Sequence, residues 1–212
     1  YYPPHFGGIE RYVSDLAHQA AERFRVTVVV HSRTASDSIE QEGRVTVIRC
    51  GTVATIGSQP ISPSMFGHLR RLAPDIIHFN APNFWAAAAL LAGRKRAPVV
   101  ITHHADVVGR KLLKKLALPL YRRLIGRADG VVVNSLRTIE NSADLPKSAP
   151  SPVAIPWGVD ERAYELDGLT LGAIRLERVR RFGHAPVIGF VGRFVRYKGL
   201  PVLVEAMRAL PD

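Results

Sequence analysis

Short apolar runs rich in β-branched residues recur along this chain, separated by stretches with helical spacing. Residues 25–31 (Val26, Val28, Val29, Val30), 45–48, 74–80, 98–102, 130–133 and 153–155 read as strands. Between them, helical patterns fall at 9–20, 64–72, 84–91 and 109–127. The first helix carries one apolar stripe (Ile9, Val13, Leu16, Ala17, Ala20), and Pro119 is expected to kink or divide the last. Residues 51–64, with Pro60 and Pro63, read as a loop. Such alternation is the mark of an α/β fold, a Rossmann-like parallel sheet with helices on both faces. Ligands of these sheets sit beyond the carboxyl ends of the strands. Here those ends are polar: His31 and Ser32, Asn80, His103 and His104, Asn134 and Ser135. Ser135 can also cap the helix that follows it.

The pattern changes after residue 158. Residues 160–186 form a charged crossover with a helix, and 187–199 run from an apolar strand through a cationic turn into a helix start. We therefore divide the chain into a first domain (1–158), a linker with its helix (159–186) and the opening βα unit of a second domain (187–212). Main-chain N–H groups at a helix N-terminus favour anions. Arg193 would add a two-pronged donor there and Lys198 a point charge. The same stretch also fits an ordinary turn with solvated cations. Gly7 and Gly8, before the first helix, either let a ligand approach the backbone or serve the turn alone.

Bulk properties exclude some functions. The chain has 212 residues and a formal charge of +11, a surface that attracts nucleic acid, anionic lipid or phosphorylated substrates. No recognition-helix or ribonucleoprotein motif accompanies the charge, which argues against nucleic acid. A basic binding module without catalysis remains the alternative function. The Gly-x-Gly-x-x-Gly fingerprint of dinucleotide oxidoreductases is absent. His103 and His104 are adjacent and would diverge on a strand, so no metal site is expected. Cys50 is the only cysteine, consistent with a reducing, cytoplasmic setting. The longest apolar run, 86–92, is too short to cross a bilayer. Along 109–127, Leu112, Leu116, Leu120 and Leu124 recur beside Lys111, Lys114, Lys115 and Arg122. That helix is either a core-facing leucine stripe with a solvated basic edge or a surface for anionic lipid.

Taken in order, the motifs resemble glycosyltransferase family 4, with its two-domain GT-B fold, and bacterial polysaccharide mannosyltransferases within it. They are Gly7-Gly8-Ile9-Glu10, Thr102-His103-His104-Ala105-Asp106, Asn134-Ser135, Ile155-Pro156-Trp157-Gly158-Val159-Asp160, and Gly192-Arg193 with Lys198-Gly199. The resemblance implies retaining transfer of a hexose, mannose favoured, from a nucleotide sugar to a glycan or lipid-linked acceptor, without metal or cofactor. It places Gly7, Gly8, Arg193 and Lys198 at the donor phosphates and His104 at the reacting sugar. His103, Asp106, Asn80 and Ser135 become candidate sugar or acceptor contacts. Peripheral attachment at the inner face of the plasma membrane is implied as well, through Lys111, Lys114, Lys115 and Arg122. Two departures stand out. No two glutamates lie eight positions apart, as the family's sugar-binding pair should, and the family's first strand is expected ahead of Tyr1. This stretch alone is therefore expected to be inactive.

Overall fold

In the computed structural model the described residues are 2–4, 7–57, 59–93, 97–107, 111–159, 161–192 and 194–210. The chain divides into two units, Tyr1–Gly158 and Val159–Asp212.

In the first unit, helix α1 (Gly8–Ala20) turns Val13 and Ala17 inward. They meet Val30 of strand β1 (Val26–His31), Val45 and Val47 of β3 (Val45–Cys50), and Tyr2. β1 and β3 pair in parallel, from Val26 opposite Val45 to His31 opposite Cys50. Strand β2 (Ser38–Glu42) lies antiparallel on the other edge of β3 and was not anticipated from the sequence. Its one large apolar residue, Ile39, is exposed, so no apolar alternation marks it. Charge holds it instead: Arg49 reaches Glu40 and Glu42, each at 2.9 Å. The expected loop at 51–64 contains a small hairpin, β4 (Ala54–Ile56) and β5 (Gln59–Ile61). Pro60 is tolerated there because a two-stranded hairpin leaves an open edge. Helix α2 (Ser64–Arg71) follows.

The second sheet is wholly parallel, in the order β6 (Ile77–Ala81), β7 (Val99–His103), β8 (Gly130–Val133) and β9 (Val153–Ala154). Helices α3 (Phe84–Ala92), α4 (Lys111–Ile125) and α5 (Leu136–Asn141) lie between successive strands. Its core gathers Phe79, Ile101 and Val131 from the strands with Phe84 of α3 and Tyr121, Leu124 and Ile125 of α4. Pro119 does not divide α4. It lies on the exposed side, where water can take the carbonyl that its missing N–H leaves free. Ala81, His103, Val133 and Ala154 stand in one register row, so the strands end together. The two sheets are joined by side chains: His31, at the end of β1, meets Asn83 just beyond β6, and Trp85 donates to the Ser62 carbonyl at 2.8 Å.

The second unit holds a 3-10 turn (Glu161–Tyr164), helix α6 (Gly168–Phe182), a second 3-10 turn (Arg196–Lys198) and helix α7 (Leu200–Arg208). Asp167 caps α6, accepting from the Thr170 N–H at 2.8 Å. Gly199, at φ 73°, takes the left-handed conformation that turns the chain into α7. The strand expected from Val187 is a correction. Residues 187–192 form no strand, and Val187, Ile188 and Val191 are exposed. A strand persists only where its backbone groups find a paired neighbour, and no strand lies among the described residues of this unit.

Candidate functional site

His104 is the first residue past β7, and its N–H donates to the Ala81 carbonyl at 3.1 Å. The peptide turn buries the ring, leaving the residue 5% exposed. Its Nε2 stands 3.0 Å from Oδ1 of Asn80, on the neighbouring strand. With the amide oxygen facing the ring, Nε2 carries the proton and Nδ1 is left as an acceptor. Burial, reinforced by His78 and His103, lowers the His104 pKa to about 4, so the imidazole is neutral at physiological pH. Nδ1 is buried with no hydrogen-bond partner among the described residues. Two aromatic rings close over it. Tyr12 of α1 and Trp157 lie 5.2 and 5.3 Å from the His104 ring, edge-on, and stack on each other at 5.2 Å.

His103 turns the other way. Fully buried, it takes the Tyr121 hydroxyl at Nδ1 (2.7 Å) and meets Asp106 through Nε2 (3.0 Å). Burial lowers its pKa against the opposing pull of Asp106. Burial pushes the Asp106 carboxyl up, but hydrogen bonds from Ser142, the Ala143 N–H and His103 outweigh it and hold it below the ordinary range. A second carboxylate returns the clasp: Asp144, wholly buried, accepts from the Val107 N–H and pairs with Lys114, both at 2.7 Å. Residues 104–107 are thus held between the loop after α5 and helix α4. His103 and Asp106, expected to meet sugar, have their polar groups engaged inside the protein, where they support the His104 turn. Ser135 is engaged too, as the cap of α5, accepting from the Thr138 N–H at 3.3 Å.

Gly7 and Gly8 open α1 as expected, and they make room for protein groups. A Cβ on Gly7 would run into the Glu10 carboxylate, and one on Gly8 would lie 3.3 Å from the Trp157 ring. A phosphate at this helix end would therefore meet Glu10. Arg193 and the side chains of Lys111 and Lys198 lie outside the described residues. Lys114, expected on a membrane face, is turned inward to Asp144, whereas Lys115 is exposed. Arg122 is exposed as well and reaches the Ala143 carbonyl. Among the described residues no group of three His, Cys, Asp or Glu is placed to hold a metal ion. Sequence reasoning did not foresee Tyr12, Trp157, Glu10 or Asp144. Trp157 stood in a recognised motif, but neighbouring residues gave no sign of its contact with α1.

Residues 6–163 match the family described as Glycosyltransferase Family 4. The chain is 29% identical over 209 residues to O-antigen chain mannosyltransferase C of Escherichia coli, covering 97% of this chain and 55% of that one. It is also 29% identical over 156 residues to a D-rhamnosyltransferase of Pseudomonas aeruginosa, covering 72% and 40%. The chain thus spans about half the length of the curated relatives it matches. Among solved structures, sucrose-phosphate synthase from Thermosynechococcus elongatus superposes with a TM-score of 0.70 at 20% identity, over 97% of this chain and 55% of that one. That likeness carries the GT-B fold.

Proposed function

The chain belongs to glycosyltransferase family 4, and from that premise we propose that it forms the acceptor-side part of an enzyme that moves a hexose, with retention of configuration. The donor is a nucleotide sugar, with mannose favoured as the sugar by the name of the Escherichia coli relative. The acceptor is a growing cell-surface glycan or its lipid-linked precursor, met at the cytoplasmic face of the membrane. Attachment is proposed as peripheral, through the exposed basic residues of α4; among the described residues no helix is long and apolar enough to cross a bilayer.

The observation that carries the reading is His104, buried at the carboxyl end of the parallel sheet with an acceptor nitrogen unspent. A histidine whose pKa lies near 4 is a weak base at neutral pH. Its role is to accept a hydrogen bond from a hydroxyl of the transferred sugar and fix that sugar's orientation, which is worth a large part of a transfer barrier. Asn80 sets the tautomer. Arg193 and Lys198 are assigned to the diphosphate leaving group, whose growing charge needs fixed positive partners. No metal or cofactor is assigned a part.

Turnover tests this. The polypeptide made from the whole gene is offered GDP-mannose, UDP-glucose, UDP-galactose and UDP-N-acetylglucosamine with a lipid-linked acceptor, and the anomeric configuration is read by NMR. The expected result is transfer of one hexose with retention, and a loss of about a hundredfold in kcat/KM for His104→Ala. No transfer from any donor, an inverted product or an unimpaired His104→Ala enzyme would each refute the reading. The 212-residue chain alone is expected to show no turnover.

A further inference from the structure

Two buried polar atoms on neighbouring rings of the first unit have no hydrogen-bond partner among the described residues: His104 Nδ1, an acceptor, and Trp157 Nε1, a donor. Buried groups of this kind are rare because each forfeits its hydrogen bond to water. Here both belong to rings in edge contact. His104 is shut in from two directions, by Tyr12 and by Trp157, which are themselves stacked with their planes 22° apart. Two clefts of the first unit, of about 170 and 210 Å³, are lined by other residues, and His104 lines neither. The indole and the Tyr12 ring together close over the imidazole that carries the unspent nitrogen.

The indole is held lightly. Among the described residues it makes no hydrogen bond, and what seats it is the stack on Tyr12 and the absence of a side chain on Gly8. The residue after it, Gly158, is exposed, and a Cβ there would touch nothing within 4 Å. Gly158 also ends the first unit, so Trp157 sits where the backbone leaves it. Aromatic stacking and apolar contact fix the ring, while the two orphaned atoms favour any movement that lets them pair.

We propose that Trp157 is a removable cover over His104, which must swing off the Tyr12 ring before His104 Nδ1 can take a hydroxyl hydrogen bond. In the closed arrangement the imidazole is kept dry and neutral. With the indole withdrawn, Nδ1 accepts from a ligand hydroxyl and the indole N–H finds water or a second ligand oxygen. That the hydroxyl belongs to a sugar rests on the transfer reading above; the cover itself does not.

Histidine labelling tests the cover first, with diethyl pyrocarbonate and residue-resolved mass spectrometry on the 212-residue chain. In the unsubstituted protein His104 should label about tenfold or more slowly than exposed His184. Trp157→Ala should raise the His104 rate at least tenfold, while His103, held by Tyr121, stays slow. Equal His104 rates in both proteins, or free labelling of His104 without substitution, overturns the proposal. If Trp157→Ala exposes His103 too, the fold has loosened, and Gly8→Val decides. Its branched side chain pushes the indole aside with the ring still present. His104 must then speed up with His103 unchanged, and a slow His104 in this variant also overturns the cover. Finally, GDP-mannose at high concentration should slow His104 labelling in Trp157→Ala introduced into the polypeptide made from the whole gene. If the cover results hold and the nucleotide sugar has no effect, the sugar assignment fails and the cover stands.

Discussion

At the scale of single residues, His104 shows how burial selects a chemical role. An imidazole in water exchanges freely between acid and base near neutrality, whereas this one stays neutral down to about pH 4 and serves as a fixed acceptor. The groups facing it are Asn80 and His78 from β6, His103 from β7, Tyr12 from α1 and Trp157, and none carries a negative charge to stabilise a cation. The consequence for stability has a definite sign. Above the ordinary histidine pKa of about 6.5 both folded and unfolded chains carry a neutral ring, and the fold keeps its full stability. Between there and about pH 4 only the unfolded chain binds the proton, so stability falls as pH falls, by about 1.4 kcal/mol per pH unit for this group. Burial shifts His31, His78 and His103 in the same direction and steepens the loss. Urea midpoints should therefore drop clearly from pH 7.5 to pH 5, and His104→Gln, which can still donate to Asn80, should drop less. A midpoint independent of pH over that range would contradict the buried neutral ring. His104 and Asn80 were legible in the sequence because each is a polar residue ending an apolar strand. Tyr12 and Trp157 were not, because their meeting depends on how α1 packs against a connector far along the chain.

Elements governed by hydrophobic period were the legible ones. β1, β3, β6, β7 and β8 follow their apolar runs, and α2 and α3 fall within a residue of the periodic segments. What escaped were elements held by other forces: β2, fastened through Arg49, and the hairpin of β4 and β5, whose prolines and polar residues read as loop. The clasp that sets the His104 turn belongs to this second group. Asp106 and Asp144 cross between two loops, each accepting a backbone N–H from the other's segment. Asp144 is wholly buried and Lys114 only partly, with 27% of its side chain exposed. Removing either partner should therefore cost different amounts. Lys114→Met leaves a buried carboxylate with, among the described residues, the Val107 N–H alone as donor, and should destabilise by about 3–5 kcal/mol. Asp144→Asn frees a lysine that can turn to water, and should cost less, about 1–3 kcal/mol. Denaturant titration of both variants checks the order, and a costlier Asp144→Asn would show that the clasp is not what holds the pair.

Seen as a whole molecule, the unusual property is a charge of +11 that the interior does not consume. Lys114 is paired internally, but Lys115, Arg122 and Arg123 remain on the exposed side of α4. The leucines of that helix do not form one buried stripe. Residues four apart drift by about 40° around a helix, so Leu116 and Leu124 face directions about 80° apart. Leu124 is buried and Leu116 is 72% exposed, beside Lys115 and Pro119. An exposed leucine beside a cation suits a lipid surface better than a solvated edge, since the chain can enter the headgroup layer while the charge meets anionic lipid. Each cation near such a surface contributes about 1 kcal/mol, or about a fivefold change in partitioning. The chain should accordingly sediment with phosphatidylglycerol-containing vesicles at low salt, stay in solution with neutral phosphatidylcholine vesicles, and be released by added salt as the Debye length shortens. Lys115→Glu should weaken the association more than fivefold, because it replaces an attraction with a repulsion. Leu116→Ser should weaken it with little change in its salt dependence. Equal partitioning onto neutral and anionic vesicles would assign the basic face to solvent, and leave the proposed lipid-linked acceptor without a surface to support it.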